Sequence, residues 1–192
     1  MKWLARLYRV IEIALHRLSG AVRCRVLKSE IERYGGHVGN GLLVQRGASI
    51  SFGRGAKIRI GSRVILAEYA QIYVAPGAEL EIGDGVFIGR GSVVAASEHV
   101  RLGDDSQIAH YVTVIDSDHR FDRSSHPLVQ SGHKTSPIDV GKNVWIGASA
   151  VLLKGVSIGD GAVIGAGTVV AKPVPGRSVA KGNPATFRSI DG

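Results

Sequence analysis

The segment Asp116-Ser117-Asp118-His119 gathers residue types suited to acid–base chemistry. An unperturbed imidazole titrates near pH ~6.5, so a histidine can remove the proton of a hydroxyl that attacks an electrophile. Asp116 and Asp118 flank His119, and either carboxylate could orient its ring or bind the hydroxyls of a substrate. Taken alone, a histidine at a loop edge is more commonly an exposed residue without a catalytic role, so its assignment depends on the elements around it.

Metal and disulfide chemistry have little support in the composition. Cys24 is the only cysteine, which excludes an intramolecular disulfide and a cysteine-rich zinc site. A zinc site built from imidazoles would need histidines that converge on one point. The chain offers for this His99, His110, His119, His126 and His133. Their spacing gives no reason to converge, so we expect no metal.

Aliphatic residues recur with a period of six, and this period decides the fold. It fits neither the 3.6-residue period of a helix nor the plain alternation of a strand, but it fits a short strand followed by a turn. Three such units make a coil of about 18 residues with a triangular outline, and coils stacked about 4.8 Å apart pair each strand with its copies above and below. The most regular stretch is Val140, Ile146, Leu152, Ile158, Ile164 and Val170.

The same spacing runs upstream and gives about six coils in all. The upstream sets are Val38, Val44 and Ile50; Ile60, Leu66 and Ile72; Ile82, Ile88 and Val94; and Leu102, Ile108 and Val114. Glycine beside Asp or Asn, as in 83–85, 103–105, 141–143 and 159–161, marks turns that need a positive φ. We therefore predict an all-β chain that folds as a left-handed parallel β-helix.

One break in the count predicts a long excursion loop. Leu102 and Val140 are 38 residues apart, which is one coil plus a loop near 120–137. Long loops on rigid scaffolds often carry function. The predicted organisation is thus a helical arm over 1–36, a β-helix over 37–175 that includes the loop 120–137, and a basic tail over 176–192.

The net charge of +8 is concentrated at the two ends of the chain. Residues 1–33 hold eight Lys and Arg against three acids, residues 34–170 hold twelve of each, and residues 171–192 hold four against one. This distribution argues against a basic groove for nucleic acid along the whole protein. It favours local contacts with anionic groups at each terminus.

Residues 3–18 are typical of a basic amphipathic helix. Its apolar face would be formed by Leu4, Leu7, Ile11, Leu15 and Leu18, with arginines between them. Such a helix can lie on an anionic membrane surface or can cap the open first coil of a repeat stack, and the sequence leaves both open. Charged residues interrupt every apolar run, so we expect a cytoplasmic protein, with peripheral contact at the inner face of the membrane through residues 1–33 as an option.

Three segments together resemble the hexapeptide-repeat acyltransferases, specifically the branch of maltose, galactoside and surface-polysaccharide O-acetyltransferases. They are 112–119 (VTVIDSDH) before the loop, 143–148 (NVWIGA) after it and 182–185 (GNPA) near the end. The match covers about residues 38–188. The hexapeptide alone is specific only for the fold, whereas a histidine before the loop and Trp-Ile-Gly after it point to acetyl-CoA-dependent transfer.

The resemblance implies a homotrimer that binds acetyl-CoA in the groove between subunits, with His119 as the general base and the acetyl group passing directly to the acceptor. It also implies that backbone amides near Gly147 and Ala148 stabilise negative charge on the thioester oxygen. Asp116 and Asp118 are the candidate substrate-binding residues. Contacts with the cosubstrate are expected from Trp145, Gly147, Ala148, Ala166, Lys172 and Lys181, with Arg188 in the same basic segment.

The resulting hypothesis is an O-acetyltransferase that acts on a sugar hydroxyl, in surface polysaccharide or lipopolysaccharide biosynthesis. The sugar-acting relatives carry an asparagine around Gly89-Arg90-Gly91, which this chain lacks, and often a basic residue after Pro-Ala, where this chain has Thr186. The alternatives are an N-acetyltransferase of amino sugars, a zinc enzyme of the γ-carbonic anhydrase type and a scaffold without catalysis. The paired histidines of that zinc family are missing here.

Overall fold

The six-residue units fold as short strands separated by turns. The computed structural model describes residues 20–120 and 132–189. One helix, α1, covers residues 20–33 of this part. The strands are β1 (His37–Val38), β2 (Leu43–Val44), β3 (Ser49–Phe52), β4 (Lys57–Ile60), β5 (Ile65–Leu66), β6 (Gln71–Val74), β7 (Glu79–Ile82), β8 (Phe87–Ile88), β9 (Val93–Ala96), β10 (His99–Leu102), β11 (Gln107–Ile108), β12 (Thr113–Ile115), β13 (Ser117–His119), β14 (His133–Thr135), β15 (Ile138–Val140), β16 (Trp145–Ile146), β17 (Val151–Leu152), β18 (Ser157–Ile158), β19 (Val163–Ile164), β20 (Val169–Val170), β21 (Ser178–Lys181) and β22 (Thr186–Ser189).

Three parallel sheets form the faces of a triangular prism. Face A contains β1, β4, β7, β10, β15 and β18; face B contains β2, β5, β8, β11, β16, β19 and β21; face C contains β3, β6, β9, β12, β17 and β20. Each strand pairs in parallel with the strand one coil away, and Val38 aligns with Ile60, Ile82 with Leu102, and Leu102 with Val140. The predicted left-handed β-helix of about six coils is confirmed.

The interior of the prism is an aliphatic ladder. None of the six residues in the most regular predicted stretch exposes more than 2% of its surface. The small or β-branched residues at the inward corners expose no more than 1%; they are Val64, Ala70, Val86, Ser92, Val144, Ala150, Ala162 and Thr168. Each fully buried Val, Ile or Leu contributes roughly 1.5 to 3 kcal/mol, so the ladder can stabilise a domain that has few aromatic residues.

The corner between faces A and B is held by stacked aspartates. Ser62 N donates to Asp84 Oδ1 at 2.7 Å, and Asp84 N donates in turn to Asp104 Oδ1 at 3.0 Å. The Lys142 ammonium lies 2.9 Å from the other Asp104 oxygen, and this hydrogen bond lowers the pKa of Asp104 below its ordinary value. The predicted glycine-rich turns of this corner do adopt positive φ, for example 68° at Gly85 and 52° at Asn143.

Helix α1 covers the first coil. Its Leu27 and Ile31 are buried in the same apolar cluster as the ladder. The sulfur of Cys24 accepts a hydrogen bond of 3.2 Å from Val44 N, an amide at the open end of face B. This part of the arm therefore acts as a cap, whereas the amphipathic face predicted for residues 3–18 lies outside the described residues. No helix within the described ranges is both long and apolar enough to cross a bilayer.

The chain ends by extending face B. Val174 forms a bridge with Ile158, and β21 then adds to β19 in parallel. β22 folds back antiparallel to β21 and leaves its own side chains exposed. The segment predicted as a basic tail thus contributes strands to one face of the prism.

Candidate active site

A two-stranded ribbon leaves the prism at the corner between faces C and A. After β12 the chain forms β13, which pairs antiparallel with β14 before β15 resumes face A. Asp118 aligns with Lys134, and His119 aligns with His133. The loop predicted near 120–137 therefore begins as a regular hairpin stem, and residues 121–131 lie outside the described residues.

His119 stands exposed at the outer end of this stem. Its ring faces the ring of His133, with the two centroids 4.4 Å apart and the planes inclined by 41°. An exposed imidazole that is held away from the compact coils is accessible to a substrate hydroxyl and can act as a general base.

Asp116 is fully buried at the foot of the ribbon. Its carboxylate accepts backbone hydrogen bonds from Ser97 at 2.7 Å, Glu98 at 2.8 Å and His99 at 2.9 Å. Ser97 and Glu98 form the turn between β9 and β10, and His99 begins β10, so the carboxylate ties one coil to the next. The sequence leaves open whether Asp116 orients His119 or binds substrate; in the structure its carboxylate is buried and engaged with these backbone amides.

Asp118 points to the other side of the ribbon from His119, because side chains alternate along a strand. Its carboxylate forms an ion pair with the ammonium of Lys154, which lies in the turn between β17 and β18. This pair fastens the ribbon to the coil below. Lys154 was not singled out from the sequence, since only the folded ribbon brings it to Asp118.

Several predicted cosubstrate residues share the corner between faces B and C. A side chain on Gly147 would lie 2.6 Å from Ala166 N in the next coil, so Gly147 and Ala166 are stacked in contact. Ala148 follows directly, and its carbonyl accepts a hydrogen bond from Gly167 N. Lys181 lies one coil further along the same corner, beside Gly165. The structure thus brings Gly147, Ala148, Ala166 and Lys181 together.

The two amides predicted to stabilise a thioester oxygen differ in availability. Gly147 N donates to Ile164 O at 2.7 Å and is therefore used in stacking the coils. Ala148 N is not among the backbone amides that pair within the described coils. Of the two, Ala148 N is the better candidate donor for an incoming oxyanion.

The remaining predicted residues lie elsewhere on the prism. Trp145 is on face B and exposes 57% of its surface. Lys172 is exposed just after β20, at the corner between faces C and A. Within one chain, His119 and the predicted cosubstrate residues of the corner between faces B and C are consequently on different corners of the prism.

The outward side of face B is largely apolar. In register along this face stand Leu43, Ile65, Phe87, Gln107, Trp145, Val163 and Val179. Face A carries instead a charged row in which Arg101 and Asp139 pair at 2.6 Å and Lys57 and Glu79 lie 3.9 Å apart. Polar rows suit contact with water, whereas an apolar row suits contact with another surface.

Residues of the types that bind metals do not cluster in the part of the chain that the structure describes. No group of three or more His, Cys, Asp or Glu side chains is close enough there to hold an ion. His119 and His133 form a pair only, and the two aspartates near them are engaged with backbone amides and with Lys154.

Family models match the repeats. A model of the bacterial transferase hexapeptide (six repeats) matches residues 137–172, and one of the hexapeptide repeat of succinyl-transferase matches residues 80–110. The predicted resemblance to hexapeptide-repeat transferases is therefore confirmed.

Relatives of similar sequence carry acetyltransferase names. A probable acetyltransferase of Mycobacterium tuberculosis is 34% identical over 130 residues, which is 68% of this chain and 43% of that protein. The galactoside O-acetyltransferase of Escherichia coli K12 is 37% identical over 114 residues, which is 59% of this chain and 55% of that protein. The chain spans about half the length of the curated relatives it matches.

Solved structures share the fold. A variant of AntD, an N-acyltransferase from Bacillus cereus in complex with dTDP-4-amino-4,6-dideoxyglucose and coenzyme A, superposes with a TM-score of 0.69 over 84% of this chain and 87% of that chain. The sequence identity is 22%, so this likeness supports the architecture alone.

Proposed function

Because the chain is a left-handed β-helix with the hexapeptide repeats of bacterial transferases, we propose that it is an acetyl-CoA-dependent O-acetyltransferase that acts on a sugar hydroxyl. The observation that carries the proposal is the exposed imidazole of His119, held on a ribbon that leaves the coils between β12 and β15. The identity of 37% with a galactoside O-acetyltransferase supports the reaction class.

In the proposed reaction, His119 takes the proton of the acceptor hydroxyl as its oxygen attacks the carbonyl carbon of the thioester. Negative charge develops on the carbonyl oxygen, where the amide of Ala148 is a suitable donor. The carbon–sulfur bond then breaks, and the imidazolium returns its proton to the departing thiolate of coenzyme A. No covalent enzyme intermediate is needed, and Cys24 serves the cap of the first coil, away from the ribbon.

We further propose that the working unit is a homotrimer in which two chains complete each site. Two observations support it. The proposed base and the proposed cosubstrate residues lie on different corners of one prism, and the outward side of face B is an apolar row without a partner within the described chain. Acetyl-CoA would then lie along the corner of Gly147, Ala148, Ala166 and Lys181, next to Trp145, with the His119 ribbon supplied by a neighbour. Lys181 lies on this corner, whereas Lys172 lies on the same corner as the ribbon and would come from the neighbouring chain; both ammonium groups would attract the phosphates.

Two similar proteins point to different acceptor groups. The galactoside relative favours oxygen, whereas AntD, which shares the fold, is described with an amino sugar. An assay of hydroxyl sugars and amino sugars with labelled acetyl-CoA, read by product mass, tests the proposal: an O-acetylated product is expected.

A role in surface polysaccharide or lipopolysaccharide synthesis is part of the proposal. Peripheral membrane contact through residues 1–33 stays a prediction.

Acetyl-CoA is expected to raise the melting temperature of the protein, and zinc is not. A ligand that binds the native state at 100 times its Kd adds about 2.7 kcal/mol of stability, which is about 5 to 11 °C for a chain of this size. Differential scanning fluorimetry with acetyl-CoA, with zinc and with dephospho-coenzyme A measures the effect. A shift with zinc alone would favour the carbonic anhydrase alternative and count against acetyl transfer.

Replacing Phe87 with glutamate is expected to dissociate the trimer. Phe87 lies in the middle of the apolar row of face B, and an isolated charge buried against a partner surface is costly. Light scattering coupled to size exclusion measures the mass. The matched control is Ser157→Glu, which adds the same charge to the outward side of face A. Equal masses for F87E and the parent protein would show that face B is not the interface.

A further inference from the structure

The pairing pattern of the ribbon explains why two histidine rings meet. Arg120 N donates to Gly132 O, and Ser136 N donates to Asp116 O, so both of these aligned pairs are hydrogen-bonded. Hydrogen-bonded and non-hydrogen-bonded pairs alternate along an antiparallel ribbon. His119 and His133 are therefore a non-hydrogen-bonded pair, the type in which the Cα atoms approach to about 4.5 Å and the side chains are closest.

Both aspartates that the sequence offered as partners for His119 have other tasks. Asp116 is buried under three backbone amides, and Asp118 is paired with Lys154 on the opposite side of the ribbon. Among the described residues, the side chain in ring contact with His119 is His133. A general base on an exposed ribbon needs such a contact, because an unrestrained side chain would spend its time in several rotamers.

We propose that His133 is a positioning residue that holds the ring of His119 in its productive orientation by packing against it. This inference rests on the proposed function of His119 as the base. The contact is a tilted ring-on-ring arrangement with the centroids 4.4 Å apart, at the short end of the separations found for packed aromatic rings. Packing of this kind requires a flat ring at position 133 and does not require that ring to carry a proton.

The test compares three variants at this stem. His133→Ala removes the ring and is expected to lower kcat by about tenfold, with the KM for acetyl-CoA unchanged, because misdirection of the base affects the chemical step. His133→Phe keeps a flat ring and is expected to restore most of kcat. Lys134→Ala is the matched control: it removes the neighbouring exposed side chain on the opposite side of the ribbon and is expected to leave kcat and KM unchanged.

A second readout does not depend on activity. In protein labelled at its histidine rings, the ring current of residue 133 shifts the resonances of the His119 ring. This shift is expected to vanish in H133A, to persist in H133F and to be unaffected in K134A.

Two results would overturn the proposal: a kcat for H133A equal to that of the parent, or His119 resonances that do not respond to H133A. If H133F restored kcat no better than H133A, packing of the ring would equally be excluded as the cause of the loss. If the parent protein transferred acetyl to none of the acceptors, the proposed function would be contradicted instead. The resonances of the His119 ring would still decide whether the two rings are in contact.

Discussion

Replacing His119 with alanine is expected to lower kcat for acetyl transfer by about 10² to 10⁴, the range contributed by a positioned general base. The substitution removes the group that takes the proton of the acceptor hydroxyl and that later protonates the thiolate. His119 is exposed on the ribbon and contributes nothing to the buried ladder, so the fold should persist. Steady-state kinetics with labelled acetyl-CoA measures the loss, and circular dichroism with thermal melting checks the fold.

The control for this experiment is His37→Ala. His37 is also an exposed histidine on a strand, but it lies on face A of the first coil, three coils from the ribbon. We expect normal kinetics for this variant. The stabilisation by acetyl-CoA should be the same in H119A as in the parent, because the proposed contacts that hold the cosubstrate are made by other residues. Normal transfer by H119A would remove His119 from the reaction and leave the function without its central residue.

The fold was predictable because one period fixes several levels of structure at once. A repeat of six sets the strand length, the turn and the coil circumference together, so Val140, Ile146 and Leu152 had to fall on three different faces and all point inward. The glycines and asparagines at the corners fall at positions that fit the same period of six. Local preference and global architecture point to one answer, which is typical of sequences that specify their fold well.

The candidate site was predictable in part. The position of His119 followed from a break in the repeat, and the ribbon appears where that break occurs. The task of Asp116 could not be inferred, since its partners Ser97 and His99 are 17 to 19 residues away and meet it only across the C–A corner of neighbouring coils. The contact with His133 depends in the same way on the register of a hairpin whose connecting segment has no repeat. Spacing along the chain carries no information on such pairs.

Replacing Asp116 with alanine is expected to destabilise the protein by about 3 kcal/mol or more. Hydrogen bonds to a carboxylate contribute roughly 1.5 to 3 kcal/mol each, they are not additive, and three buried amides would lose their acceptor at once. For a chain of this size the loss corresponds to a decrease of about 6 to 12 °C in the melting temperature. Thermal melting of the purified variant measures it.

Asp139→Ala is the matched control for that variant. Asp139 is an aspartate that accepts from a cation, at 2.6 Å from Arg101, but 53% of its side chain is exposed, and an exposed ion pair contributes at most about 1 kcal/mol. Comparing the melting temperatures of D116A and D139A therefore separates the effect of burial from the effect of removing a charge. If Asp116 held a substrate hydroxyl instead of the turn, D116A would melt like the parent and show a raised KM for the acceptor. A structural carboxylate predicts the reverse: a large decrease in melting temperature, with kinetics near those of the parent when assayed well below the transition.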